Sequence, residues 1–406
     1  MKKILVISYP YQPRHMASSI CLESILKELN KEYSIDLVTL NEKPYLAEYE
    51  IIDSIHVFRV KSYFKFFNNR LLKKVQFKIN NILRPYFWMD DGIYWMRKAY
   101  KKSLQLIEKN NYDYILSSSG TFSTQNIAMK IKNKHPHIKW ISYVVDPFPI
   151  DNPRVNKTHF YNAKNLSIRA VKLADGIAIL PNLFEKYCDE LLSKYKRKCV
   201  KVDIPLLNRL NVHHERSNKD VVDLLYVGSL SREIRNPEYL LALILKVNEK
   251  KYIKRLRLTI FGGQRDCKDI LKKYKELLGE NLIINDYVPR EVVLDAMSKA
   301  NMLVNIGNSS PHMVPSKIFE YMGTGLPIIN IENIENDSSE LYLKKYGLAL
   351  SLKNNWSKLN ENSDDLYEFC DKYQISRKSY DEVEELFIEN TSNFVTNKIK
   401  KMMCLM

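Results

Sequence analysis

The 406 residues leave room for two or three domains of roughly 150 residues each, and 45% hydrophobic and 27% charged residues with 26 Tyr and 15 Phe exclude an aromatic-poor disordered chain. The formal charge of +16 keeps nucleic acid, an anionic membrane surface and phosphorylated small molecules open as partners until its location is known. Six cysteines, Cys21, Cys188, Cys199, Cys267, Cys370 and Cys404, are scattered without a C-x-x-C pair, which argues against a disulfide framework or a zinc site and fits a reducing cytosol.

At the start of the chain, the apolar run around residues 4–7 is too short for a signal-peptide core, and no later window has the roughly 18 apolar residues of a membrane span. That run reads as a buried strand. The helix after it begins near Ser18 and carries Leu22, Ile25, Leu26 and Leu29 on one face. Further strands are expected at 35–40, 56–60, 112–117, 140–145, 177–180 and 200–204, with helical stretches between most of them. The alternation predicts an α/β fold with a parallel sheet covered on both faces.

Periodicity lapses between Leu206 and Val221, and the division expected is an N-terminal domain at 1–208, a linker at 209–221 and a second α/β domain at 222–375. The second series has strands at 224–227, 256–261, 282–288, 302–306 and 327–331, and helices at 237–249, 270–278 and 291–299. Residues 364–373 and 380–403 read as helices, and the segment 376–406 is expected to pack back on the first domain as one long helix. In doubly wound folds ligands bind outside the carboxyl ends of the strands, so the strand-end loops are where chemistry is sought.

The strongest of these is His312-Met-Val-Pro-Ser-Lys-Ile-Phe-Glu320, followed by Gly323 and Gly325. Pro315 suits a first helical turn, so the amides of Ser316, Lys317 and Ile318 are expected to point at a bound phosphate. Glu320, a little over one turn along, can accept two hydrogen bonds from a vicinal diol such as a ribose. A second loop, Gly228-Ser229-Leu-Ser-Arg232-Glu-Ile-Arg235-Asn236-Pro237, joins a glycine turn to two arginines, whose guanidinium groups grip a diphosphate bidentately. Gly262 and Gly263 end a third strand with a turn suited to a ligand or to plain chain reversal. No G-x-G-x-x-G follows the first strand and no G-x-x-x-x-G-K-[ST] occurs, which removes the fingerprints of dinucleotide oxidoreductases and P-loop NTPases.

The ordered set Tyr226-Val-Gly228, Arg232 and Arg235, Phe261-Gly-Gly263, Asp286-Tyr-Val-Pro289, Ala300 to Val304 and Pro315-Ser-Lys-Ile-Phe-Glu320 to Pro327 resembles the donor-binding half of GT-B glycosyltransferases of family 4, group 1, in their bacterial surface-polysaccharide branch. The resemblance is tight over residues 222–332 and loose in the N-terminal half. It implies two Rossmann-like domains facing across a cleft, with the C-terminal helix returning to the N-terminal domain. It implies a hexosyltransferase-type enzyme that takes a UDP- or GDP-sugar, transfers with retention and has no cofactor and no obligatory metal. Glu320 takes the place of the ribose-holding Glu of the family's E-x7-E element, and His312 stands where its first, sugar-contacting Glu would be. By position after the glycine turn, Arg232 and Arg235 match the family's diphosphate-holding pair. Asp146 matches the family's His-Asp loop with Val145 in the His position, and is assigned to donor or acceptor hydroxyls, with a cap or loop role the alternative. Arg14 and His15 lie in the first loop, where the family often has a Gly-Gly pair.

Between residues 61 and 102, eleven Lys and Arg face only Asp90 and Asp91, interleaved with aromatics that include Tyr63, Phe77, Trp88 and Trp95. A basic aromatic helical hairpin suits an anionic lipid interface, and packing of the aromatics inside the domain with solvated lysines is the alternative. The family's acceptor-binding N-terminal domain and its frequent lipid-linked acceptors imply a cytoplasmic enzyme, peripheral at the inner face of the membrane. Two other readings stay open: a nucleotide-sugar epimerase of the same fold, and a non-catalytic basic protein that binds nucleic acid or membrane. No recognised nucleic-acid module occurs, so nucleic acid is not the expected partner.

Overall fold

β1 (Lys3–Ile7) buries four of its five residues, as a central parallel strand covered on both faces must. The structure, a computed structural model, describes residues 1–9, 11–12, 17–43, 45–62, 90, 92–118, 121–148, 157–210, 220–250, 252–309 and 314–406, with the side chains of 157–162 left aside. Arg14, His15, His312, most of the basic aromatic segment and residues 211–219 lie outside them. The chain divides into two units, Met1–Pro205 with Ser392–Met406, and Leu206–Thr391.

In the first unit, β1, β2 (Ser34–Asn41), β3 (Tyr49–Ile52), β4 (Ile55–Lys61), β5 (Tyr114–Ser118), β6 (Lys139–Val144), β7 (Gly176–Ile179) and β8 (Cys199–Lys201) form one sheet in the order β3-β4-β2-β1-β5-β6-β7-β8. Every pairing is parallel except that of β3 with β4. β3 was not legible in the sequence because its exposure alternates at a sheet edge. Its tight turn uses Asp53 at φ 48° and Ser54 at φ 64°, the two positive angles a twist-matched hairpin needs. The helices α1 (Ala17–Leu29), α2 (Ile93–Lys109), α3 (Phe122–Lys134), α4 (Lys157–Leu173) and α5 (Pro181–Tyr187) follow the strands. Trp95 on α2 is fully buried, 5.4 Å from the Tyr9 ring, so this aromatic of the basic segment belongs to the core and not to an exposed face.

The second unit has β9 (Val221–Val227), β10 (Arg255–Phe261), β11 (Leu282–Asn285), β12 (Met302–Ile306), β13 (Ile328–Glu332) and β14 (Ala349–Lys353), all parallel. Its order, β11-β10-β9-β12-β13-β14, is the Rossmann order, with the reversal between β9 and β12. α6 (Glu238–Glu249), α7 (Lys268–Leu278), α8 (Arg290–Lys299), α9 (Lys317–Met322), α10 (Glu340–Tyr346) and α11 (Leu359–Tyr373) complete it. The core is built from Leu224, Tyr226, Leu243, Leu256, Ile260, Val304 and Ile329, packed with Leu366 and Cys370 of α11.

The expected single helix from 380 to 403 is broken. α12 (Tyr380–Leu386), started by a capping box between Ser379 and Glu382, stays in the second unit, and α13 (Ser392–Cys404) belongs to the first. The break falls where the Leu207 N–H donates to the Asn390 carbonyl at 3.0 Å and buried Phe387 anchors the turn. The returning segment is therefore 392–406, shorter than the expected 376–406. There the Tyr114 hydroxyl donates to the Met403 carbonyl, Lys400 pairs with Glu32, and Met402 fills the space over Gly176.

Candidate functional site

The carboxyl ends of β9, β10 and β12 carry the loops singled out in the sequence, and backbone hydrogen bonds lace the first two together. The Gly228 N–H donates to Phe261 at 2.9 Å and the Leu230 N–H to Gly263 at 2.9 Å. Gly262 has φ 137°, and a Cβ there would stand 2.2 Å from the Gly228 carbonyl oxygen, so both the conformation and the close approach require glycine. Gly263 lies under the Tyr287 ring, whose hydroxyl is 2.6 Å from the Ser229 hydroxyl.

Ser231 and Arg235 exchange backbone hydrogen bonds at 3.1 and 2.8 Å, closing a small loop with Arg232 near its tip. The two arginines consequently have different partners. The Arg232 Nε donates to the Asp266 carbonyl at 2.8 Å and its guanidinium pairs closely with Asp269, which raises the arginine's pKa further. Arg235 instead donates from Nε to the Asn308 Oδ1 at 2.9 Å, spanning the reversal between β9 and β12. The Asp266 carbonyl and the Asp269 carboxylate thus hold Arg232, while an amide holds Arg235. Asn236 accepts from the Glu238 amide at 2.9 Å and so starts α6.

α9 has six residues. Of the three amides expected to face a phosphate, that of Ile318 already donates to the Pro315 carbonyl at 3.2 Å, since the first turn is tight. Ser316 precedes the helix with helical φ and ψ, and its side chain makes no cap hydrogen bond. Lys317 turns back on Glu320, with Nζ 3.0 and 3.1 Å from the two carboxylate oxygens. Arg290, from the start of α8, brings a second cation to 3.4 Å. Glu320 is 3% exposed, so two cations compensate its desolvation.

Beside it, the Tyr321 hydroxyl accepts from the Val227 N–H at 3.0 Å and meets the Val227 carbonyl at 3.3 Å, tying α9 to the end of β9. Burial pushes the Tyr321 phenol well up, and the charges of Glu320 and Arg235 both act on it. Burial likewise pushes Tyr226 up to about 12, against the opposing charge of Arg235. These shared influences put Arg235 and Glu320 in one neighbourhood. Arg290 and Asn308 were missed in the sequence, and Tyr226, Tyr287 and Tyr321 stood in the matching strings without being assigned to the site. The signal for Asn308 was its place just after a buried strand, opposite the glycine turn that was recognised.

In the first unit Asp146 follows β6 by two residues. Burial pushes its carboxyl up to about 6, and the fully buried Tyr143 phenol is pushed well above its ordinary value by burial, with the nearby charges of Cys21, Asp203 and Asp146 adding to the shift.

Residues 222–343 match the family described as "Glycosyl transferases group 1". No curated protein matches the chain. Among solved structures, sucrose-phosphate synthase from Thermosynechococcus elongatus aligns at 12% identity and a TM-score of 0.70, over 100% of this chain and 99% of its own. An E. coli structure described as trehalose-6-phosphate bound with UDP-2-fluoro glucose aligns at 11% and 0.66, over 99% of each chain. WaaG, described as a glycosyltransferase involved in lipopolysaccharide biosynthesis, aligns at 10% and 0.59, over 98% of each. At such identities the likeness carries the fold alone. The chain has the GT-B fold, and residues 222–343 of its second unit match a group 1 glycosyl transferase domain.

Proposed function

We propose that the enzyme moves a hexosyl unit from a UDP- or GDP-sugar to a lipid-linked or oligosaccharide acceptor in the synthesis of a bacterial surface polysaccharide such as capsule, O-antigen or exopolysaccharide. Transfer proceeds with retention and without an obligatory metal. The observation that carries this reading is the arrangement at the β9–β12 reversal, where Arg235 bonds Asn308 after β12 and the Lys317–Glu320 pair stands on α9, the next helix, inside the matched domain.

Breaking the bond from the anomeric carbon to the diphosphate builds positive charge on the sugar and negative charge on the leaving group. Arg235 stabilises that negative charge from a fixed position, and Arg232 joins when it leaves Asp266 and Asp269. Gly228 and Ser229, with Gly262 and Gly263, form the backbone wall beside the diphosphate. Pro315, Ser316 and Lys317 form the opposite wall, with His312 as the sugar contact. Glu320 takes the ribose diol and shares its oxygens with Lys317. Asp146 takes an acceptor hydroxyl, and Arg14 and His15 assist from the first loop.

Among the described residues no helix is long and apolar enough to cross a membrane. The basic segment 61–102, with Arg97 and Lys101 exposed on α2, supports attachment to anionic lipid at the cytoplasmic face of the membrane. Charge reversal of Lys73, Lys74 and Lys78 to Glu is expected to release the protein from vesicles containing anionic lipid, and unchanged binding would remove the membrane part of the reading.

The decisive experiment screens nucleotides and nucleotide sugars for thermal protection. A rise in Tm with UDP or GDP and their sugars is expected, followed by transfer to glycan acceptors. No shift with any nucleotide would return the protein to the non-catalytic reading, and release of epimerised sugar without acceptor would make it an epimerase.

A further inference from the structure

Asn308 is 5% exposed and accepts the Arg235 Nε, the one hydrogen bond described from that guanidinium to the loop after β12. It rides on Gly307, and Gly307 is held on three sides. Its N–H donates to the Ile331 carbonyl at 2.9 Å, and its carbonyl accepts from the Asn333 Nδ2 at 2.8 Å. The Asp337 Oδ2 is packed so closely on its Cα that a Cβ would stand 1.8 Å away. Asn333 is itself fixed by the Asn354 Nδ2 at 3.1 Å, and the Asn354 N–H donates to the Glu332 carbonyl at 2.8 Å. The result is a relay of neutral amides from β14 through Asn354, Asn333 and the Gly307 peptide to Asn308, ending on one guanidinium.

The choice of neutral partners matters. The Asp269 carboxylate paired with Arg232 competes with any phosphate for its charge, whereas an amide oxygen orients a guanidinium without neutralising it. An Nε bond fixes the plane of the group, which the Tyr226 side chain also touches, and keeps its full positive charge for an anion.

We propose that Asn308 and Asn333 are positioning residues that fix Arg235 for the terminal phosphate of a bound nucleoside diphosphate. This rests on the donor-site reading above. The readout is the gain in affinity from UMP to UDP, and from GMP to GDP, measured by calorimetry on the full chain. A merely structural role for Asn308 would weaken mono- and diphosphate alike. A positioning role lowers the gain alone.

Asn308→Ala is expected to lose about tenfold in UDP or GDP affinity, with the monophosphate changed by less than about twofold. Asn333→Ala is expected to lose about threefold in the same pattern, and it carries the test should Asn308→Ala fail to fold. Arg235→Ala serves as the reference and is expected to abolish the gain. Equal weakening of mono- and diphosphate, or an unchanged gain in the asparagine variants while Arg235→Ala abolishes it, overturns this proposal and leaves the donor site standing. A wild-type chain that binds none of the four nucleotides, or an unchanged gain in Arg235→Ala, overturns the donor-site reading and the proposal with it.

Discussion

The strand-end loops of the two units carry their acids in opposite ways. In the second unit Glu320 is nearly inaccessible and lies against Lys317 at 3.0 Å and Arg290 at 3.4 Å. In the first unit burial holds the Asp146 carboxyl up to about 6. Two cations stand against Glu320 in a fixed arrangement, while burial leaves Asp146 to gain or lose a proton in the ordinary pH range.

The largest test of that contrast is catalytic. Arg235→Ala and Glu320→Ala are each expected to lower the transfer rate by on the order of 10²-fold or more with the fold retained, as checked by circular dichroism. Activity retained in both would dissolve the fixed-charge side of the comparison.

Next comes the lacing that holds the second site rigid. Gly262→Ala forces a Cβ against the Gly228 carbonyl at φ 137° and is expected to destabilise by about 3 kcal/mol, read from urea unfolding.

The proton-holding side is sharpened by pH. An unfolded Asp titrates near ~3.9, so stability falls as pH rises from about 4 to about 6 while the folded protein still holds the Asp146 proton, and levels off above. Asp146→Asn has no charge to desolvate. It is expected to be more stable than the parent by about 1–2 kcal/mol at pH 7.5, after allowance for solvent screening, and equal to it at pH 4. A gap of constant size across that range in urea midpoints would show that the proton is not the cause.

The smallest expected effect is that of Tyr321→Phe, which leaves the Val227 N–H without its 3.0 Å acceptor and is expected to cost about 1 kcal/mol.

Much of the second unit was legible from its pattern. β9, β10, β12 and β13 lie within a few residues of their expected positions, and the glycine turns at 228 and 262–263 stand at their ends. Edge strands were harder to see. β3 and β14 have mixed exposure, and neither has the continuous apolar run that marks a buried parallel strand. The long C-terminal helix was overread because the sequence from 380 to 403 keeps helical residues through a break that is set by pairing at Leu207 and Asn390.

By itself the sequence determined the alternation of strands and helices, the glycines that strand ends require, and the run of residues that holds Pro315, Lys317 and Glu320. These are local matters of period, φ angle and spacing. Tertiary structure alone decided which partners each charge received. Arg232 and Arg235 are three residues apart in the chain, yet one meets acids beside α7 and the other an amide after β12, because strand order brings residues 266–269 and 308 to different sides of β9. Arg290 reaches Glu320 across 30 positions for the same reason: in a parallel sheet every strand ends at the same edge, so loops remote in sequence become neighbours there.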